Sequence, residues 1–502
     1  MANANRKKLF ASFSRKRRPF FLALSLSAIA ASSPQHDAAW WAQATRQDIN
    51  AAYRLFLDNH PGVHDPDNPA FAGRLMAARD AALALVPQVT NAGGYAAALA
   101  RFTAALRDGH AQVFAKPGWA ELPPARWPGF VAAWRGDALY VFASEPGGPP
   151  QGARIEACDG RKVRDLVLDD VFAFEGRPDE PGQWWVRARN LFVDDGNPFV
   201  APPRHCRFLT TAGSMDMALT WRVTDAHYAQ WRAASYNGDI LPTGLREVRP
   251  GLFWVAMPSF DPDAAQRDAL RAAFATMAGE HARLLTADAI VIDLRGNQGG
   301  SSDWSWQFAQ ALWGKDLATQ WAPVDNSEVW WRASPDNMGF MAGLVPLLRQ
   351  EKQTDMADWA SGISRLMRAA MATGKTYAIE PQDPTPVGTG PKAKLPSRTP
   401  PIYVIVPGQC SSACLDALDR FTAFPRVKLI GAPSSADTTY LDIRKVSLPG
   451  GRAQAVVPMK LYRHRPRAAG QVYQPAIQVT DLAWSTAAFQ AVVEKDLKKK
   501  GK

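Results

Sequence analysis

The chain has 502 residues, 47% of them hydrophobic and 21% charged, with 36 Gly and 39 Pro; this excludes disordered, fibrous and collagen-like classes and leaves room for about three domains. A net charge of +11 suggests a nucleic-acid partner only if it lies on the folded body. Seven of those charges fall in the acid-free stretch 1–30 and three in the lysine-rich tail Glu494 to Lys502, so the body is close to neutral and no nucleic-acid partner is expected.

Residues 1–31 read as a secretory signal peptide: a basic stretch ending in Arg17-Arg18, the apolar run PFFLALSLSAIAA, then small residues around Ala28-Ile29-Ala30. The Arg pair followed by Phe20-Phe21 also fits the twin-arginine route. The run is shorter than the roughly 20 apolar residues of a membrane span, and no later stretch reaches that length. The expectation is a periplasmic or secreted protein with no stable membrane span. Export exposes Cys158, Cys206, Cys410 and Cys414 to oxidation; they allow three complete pairings, and a local Cys410–Cys414 bridge is compatible with a helical turn.

From Trp40 to Leu106, apolar residues recur at three- and four-residue spacing, as in RQDINAAYRLFLDNH, so an N-terminal helical domain is expected over 38–115. Short apolar runs between Gly, Pro and Asp turns follow, which predicts a small β-rich domain over 120–240; GARIEACDGRKV within it has a PDZ-like strand–turn–strand pattern. From GLFWVAMPSF onward strands alternate with helices, the pattern of an α/β core, expected over 245–485. A Met- and Trp-rich helical insertion, 315–395, interrupts it and reads as a lid or cover. Its Trp330 and Trp331, with Trp304, Trp306 and Trp313 nearby, suit the core or a hydrophobic cleft.

Two corners of that core could carry chemistry. In PIYVIVPGQCSSACLDALDRF a buried strand breaks at Pro407-Gly408 and re-enters as a helix, with Ser411 and Ser412 where backbone N–H groups are free. A Ser there ordinarily caps the helix; as a nucleophile it would find oxyanion donors ready made. In IVIDLRGNQGGSSDW, Asp293 ends a strand and Gly296, Gly299 and Gly300 let the backbone turn sharply towards a ligand or merely into the next helix. No Lys follows in the phosphate-loop position. His60 and His64, in NHPGVHDPD, lack H-E-x-x-H spacing and read as a turn rather than a metal site.

Together the two corners resemble the tail-specific, or C-terminal processing, serine proteases and their tricorn-type relatives. IVIDLRGNQGG is similar to that family's strand and D-L-R-x-N-x-G-G, and VIVPGQCSSACLDAL to its strand and nucleophile turn. LPGGRAQAVVPMKLY and QPAIQV look like the strands that close the core, although Ala476 stands where the family usually has Asp. The resemblance covers 251–314 and 398–480. It implies a crotonase-like or Clp-protease-like α/β core, Ser412 as nucleophile, and an oxyanion hole formed by Ala413 N–H and the Gly299-Gly300 loop. Where the processing branch has a Lys base, GAPSSADTTY has Asp437. The base implied is then His110, since LRDGHAQVF resembles the tricorn-type stretch whose His is general base, with Gly109 in place of its Ser. Asp437 is the candidate to orient His110, with Asp442 and Asp108 as rivals and a plain turn carboxylate as the alternative. The implied function is an exported serine-type endopeptidase acting on peptide or protein substrates, with no metal or organic cofactor. Two other readings keep the same scaffold: a non-catalytic binding protein for peptides or hydrophobic ligands, and an acyl hydrolase with a non-peptide substrate.

Overall fold

The computed structural model describes residues 36–116, 119, 121–381, 391–395 and 399–500; the signal peptide expected at 1–31 lies outside the described residues. The first helix, α1 (Ala38–Asn59), starts at Asp37, whose carboxylate accepts the N–H of Trp40. It packs with α2 (Phe71–Leu83) and α3 (Ala92–Leu106) through Ile49, Phe56, Leu75, Leu99 and Phe102. Helix α3 stops at Arg107, in the left-handed conformation, and the chain turns through Asp108-Gly109-His110 into β1 (Gln112–Ala115).

The next region contains β2 (Arg126–Trp127), β3 (Phe130–Arg135), β4 (Ala138–Ser144), β5 (Arg154–Cys158), β6 (Arg161–Lys162), α4 (Val163–Leu166), α5 (Pro181–Arg187), β7 (His205–Thr210), β8 (Gly213–Ala218), β9 (Arg222–Val223) and α6 (Ala226–Asn237). Strands β3, β4, β5, β7 and β8 form one antiparallel sheet in that order, with β6 added to β5. Cys158 and Cys206 stand opposite each other on β5 and β7 and are bridged; the other bridge is Cys410–Cys414, so one of the three pairings left open by the sequence is realised.

The rest of the chain runs β10 (Gly244–Arg249), β11 (Leu252–Ala256), α7 (Ala264–Gly279), α8 (His281–Leu285), β12 (Ala289–Asp293), α9 (Asp303–Trp313), α10 (Lys315–Gln320), β13 (Glu328–Arg332), α11 (Pro335–Gln350), α12 (Thr354–Ala372), β14 (Tyr377–Ile379), β15 (Ile402–Val406), α13 (Ala413–Thr422), β16 (Val427–Gly431), β17 (Tyr440–Ser447), β18 (Ala453–Arg463), β19 (Ile477–Gln478) and α14 (Thr486–Lys500). Strands β10-β11-β12-β15-β16-β19 make a sheet that is parallel from β11 to β19. Every residue of β11, β12 and β15 is buried, as a parallel sheet covered on both faces requires. Phe274, Phe308, Leu418 and Phe421 cover one face, and Trp185, Trp484 and Phe489 the other.

The stretch 315–395 departs from the all-helical expectation. Besides α10, α11 and α12 it supplies β13 and β14, which join β1, β17 and β18 in a separate antiparallel sheet. Strand β18 therefore belongs to this second sheet, while β19, within QPAIQV, closes the parallel one. Helices α1 to α3 cover one face of the second sheet and α11 and α12 the other. Pairing β1 to β18 ties the His110 turn to the segment that follows β16, and so to the neighbourhood of Ser412.

Candidate active site

Ser412 ends the turn after β15 and precedes α13 with φ 55° and ψ −127°. A non-glycine residue held in such a region costs on the order of 1–3 kcal/mol and persists only where its surroundings impose it. Here the Asp437 carboxylate accepts the Ser412 N–H at 2.9 Å, and Cys410 and Cys414 are bridged across the turn. Ser411 Oγ donates to the Gln298 carbonyl at 3.2 Å. The capping alternative is thereby decided: Ser412 makes no side-chain cap, and its hydroxyl has no hydrogen bond among the described residues. The Ala413 N–H, first of α13, is likewise unbonded among them.

The glycine loop lies directly against this corner. Asp293 is buried in bonds from Arg295 and from Trp254 Nε1, and the fully buried Arg295 reaches on to the Trp484 carbonyl at 2.9 Å. Asn297 donates to the Met257 carbonyl and accepts the Gly299 N–H, each at 2.9 Å. Gly299 has φ 103°, and a Cβ placed on it would stand 2.8 Å from both Ser412 Cβ and the Ser411 carbonyl oxygen. Gly300, at φ 129°, is pressed against Phe260, and its N–H has no partner among the described residues.

The β-rich region also reaches the corner. Gly182, on α5, packs on the Gly408 carbonyl so closely that a Cβ would collide with it. Gln183 Nε2 donates to Ser435 Oγ, which in turn donates to the same carbonyl, each at 2.8 Å. Arg177, paired with Glu180, leans on Gly109 and feels the charges of both Asp108 and Asp437.

His110 approaches from the N-terminal side. Its N–H donates to Asp108 Oδ1 at 3.0 Å, and Thr438 Oγ1 donates to the same oxygen at 2.9 Å. Thr438 follows Asp437, so the His110 turn and Ser412 are held by consecutive residues of one loop. His110 Nδ1 is buried without a hydrogen-bond partner among the described residues. Asp437 bonds Ser412 and Arg467, not His110, whereas Asp108 and Asp442 both sense the imidazole's charge. Asp442, in a left-handed backbone, is pushed upward by burial against the opposing pull of Lys460, whose ammonium is 2.6 Å away. No hydrogen bond joins Ser412 and His110.

Asn297 and Arg467 were missed as candidates; Asn297 falls inside the D-L-R-x-N-x-G-G match, but nothing local to Arg467 marks it as part of the corner. Trp304, Trp313 and Trp331 are core residues. No group of three or more His, Cys, Asp or Glu side chains among the described residues is placed to hold a metal ion, and no described helix is long and apolar enough to cross a membrane.

The two disulfides should separate stability from activity. On a chain-entropy basis the Cys410–Cys414 bridge contributes about 2 kcal/mol and the Cys158–Cys206 bridge, closing a longer loop, about 4 kcal/mol. We expect the Cys410→Ser/Cys414→Ser variant to lose about 2 kcal/mol in urea unfolding and, with Ser412 as the nucleophile expected from the sequence, roughly ten-fold or more in labelling of that serine. The Cys158→Ser/Cys206→Ser variant should show the reverse balance.

Two covered sheets, with a strained serine at a strand–helix corner beneath a glycine loop, define an α/β protein. No family model and no curated protein matches the sequence. Solved structures do: mature CPAF complexed with lactacystin superimposes with a TM-score of 0.62 at 13% identity, over 91% of this chain and 98% of that one. A second structure, of mature CPAF, gives 0.62, 13%, 91% and 97%. A looser superposition is that on the photosystem II D1 C-terminal processing protease, with a TM-score of 0.35 and 15% identity over 88% of this chain and 98% of that one. The chain thus has the fold of CPAF.

Proposed function

We propose that the protein is an exported serine-type endopeptidase, of the tail-specific kind and of its His-base, tricorn-type branch. His110 takes the proton of Ser412 Oγ as that oxygen bonds to the peptide carbonyl carbon. The proton then passes to the leaving amine as the C–N bond breaks. Water, deprotonated by the same imidazole, releases the acyl group and restores Ser412. The oxyanion is held by the Ala413 N–H with the glycine loop; because Asn297 engages the Gly299 N–H, the loop's free donor is Gly300 N–H. Asp437 holds the backbone of the nucleophile.

The observation that carries this reading is Ser412 itself, forced into a left-handed backbone while its hydroxyl is left out of capping. Neither a cap nor a carrier's pocket needs that strain. The test is labelling of the mature protein with a fluorophosphonate probe and mapping of the labelled peptide. We expect the label on Ser412, slowed about 10²-fold or more by His110→Ala. An unlabelled protein, or a label elsewhere, overturns the assignment.

A further inference from the structure

His60 takes no part in the chemistry above, yet it is one of the most enclosed polar side chains in the protein. It is fully buried, stacked on Phe71 at 4.3 Å between ring centroids and meeting Tyr440 edge-on at 4.9 Å. Its Nδ1 accepts the N–H of Gly62 at 2.9 Å. An acceptor nitrogen carries no proton, so in the neutral ring the proton is on Nε2, which donates to Asp108 Oδ2 at 3.0 Å. Burial holds His60 neutral against the pull of Asp108, and the bond from His60 helps keep Asp108 ionised despite its own burial.

The other oxygen of Asp108 receives two donors from different parts of the fold. One is the His110 N–H, in the turn that presents the base; the other is the Thr438 hydroxyl, next to the Asp437 that grips the Ser412 N–H. We propose that the His60–Asp108 pair is a positioning strut that sets the His110 turn and the 437–438 loop in register, and so fixes the base relative to the nucleophile. This rests on the Ser412–His110 reading above. His60 and Asp108 touch no substrate in this scheme; they act through the His110 backbone N–H and the Thr438 hydroxyl that Asp108 holds.

The experiment compares His60→Gln, which can keep an N–H donor near the Nε2 position, with His60→Leu, which fills space without donating. We expect His60→Leu to slow fluorophosphonate labelling and peptide kcat about thirty-fold with KM within about two-fold, and His60→Gln to recover to within about five-fold of the parent. Amide hydrogen exchange reads the strut without reference to activity: peptides spanning 107–112 and 434–440 should lose protection together in His60→Leu and keep it in His60→Gln. Equal losses in the two variants, or lost protection in only one segment, would overturn the strut. A parent protein that does not label, with the exchange pattern as expected, would instead sink the nucleophile assignment and leave the strut standing.

Discussion

Ser412→Ala should abolish hydrolysis, lowering kcat by about 10⁴-fold or more while the protein stays folded. The size follows from the chemistry proposed above: without Oγ no acyl intermediate would form, and only substrate binding and the N–H groups at the start of α13 would remain to favour the reaction. The fold should tolerate the change, because the Ser412 hydroxyl makes no hydrogen bond among the described residues, and the bonds holding the turn come from backbone N–H, Asp437 and the Cys410–Cys414 bridge. Alanine meets the same φ penalty as serine at this position, so no strain is added. The adjacent Ser411 is the internal control. Its hydroxyl is committed to the Gln298 carbonyl, so Ser411→Ala should cost about 1 kcal/mol of stability and leave activity within about ten-fold. Steady-state kinetics on a peptide-library substrate, with thermal melts of both variants, decide it. A reversal of the two outcomes would move the nucleophile from Ser412 to Ser411.

What the sequence made legible was whatever chemistry is local. The break at Pro407-Gly408 and the clustered glycines from Gly296 to Gly300 dictate turns wherever they occur, and the uninterrupted apolar runs of β11, β12 and β15 demand a sheet buried on both faces. The pairing of β13 with β14 and β18 was not legible, since it joins Trp330 to Ile379 and Glu328 to Arg463, far apart in the chain, and the helices flanking those strands dominate the local pattern. The carboxylates illustrate the same limit within the site. Asp437, Asp442 and Asp108 are equivalent as letters near a Ser or a His. Only the fold shows that Asp437 is spent on the backbone of Ser412 and that Asp108 is shared between His60, His110 and Thr438. His60 read as a turn residue, and it does accept the Gly62 N–H; its second nitrogen acquires a partner 48 positions away.

Gly299→Ala tests whether the glycine loop and the Ser412 corner form one device, and its effect should be nearly as large as that of His110→Ala. Two penalties coincide at this position. The backbone φ of 103° is one that side chains rarely adopt, and the added Cβ would stand 2.8 Å from Ser412 Cβ and 3.1 Å from the Ala413 nitrogen. The first penalty is about 1 kcal/mol or more of stability. The second cannot be relieved by a side-chain rotation, because the atoms it meets are the backbone and Cβ of the strained corner; either the loop or Ser412 must move by several tenths of an ångström. Displacement of that order at an oxyanion donor or nucleophile costs about 10²- to 10³-fold in kcat. Gly314→Ala separates the two penalties: Gly314 has φ 82° but open space around its Cβ position, so it should lose stability alone. The expected result is destabilisation of both variants, larger in Gly299→Ala, read by urea unfolding, with activity lost only in Gly299→Ala. If both retain activity, the loop does not bear on the nucleophile, and the oxyanion would have to be held by the start of α13 without it.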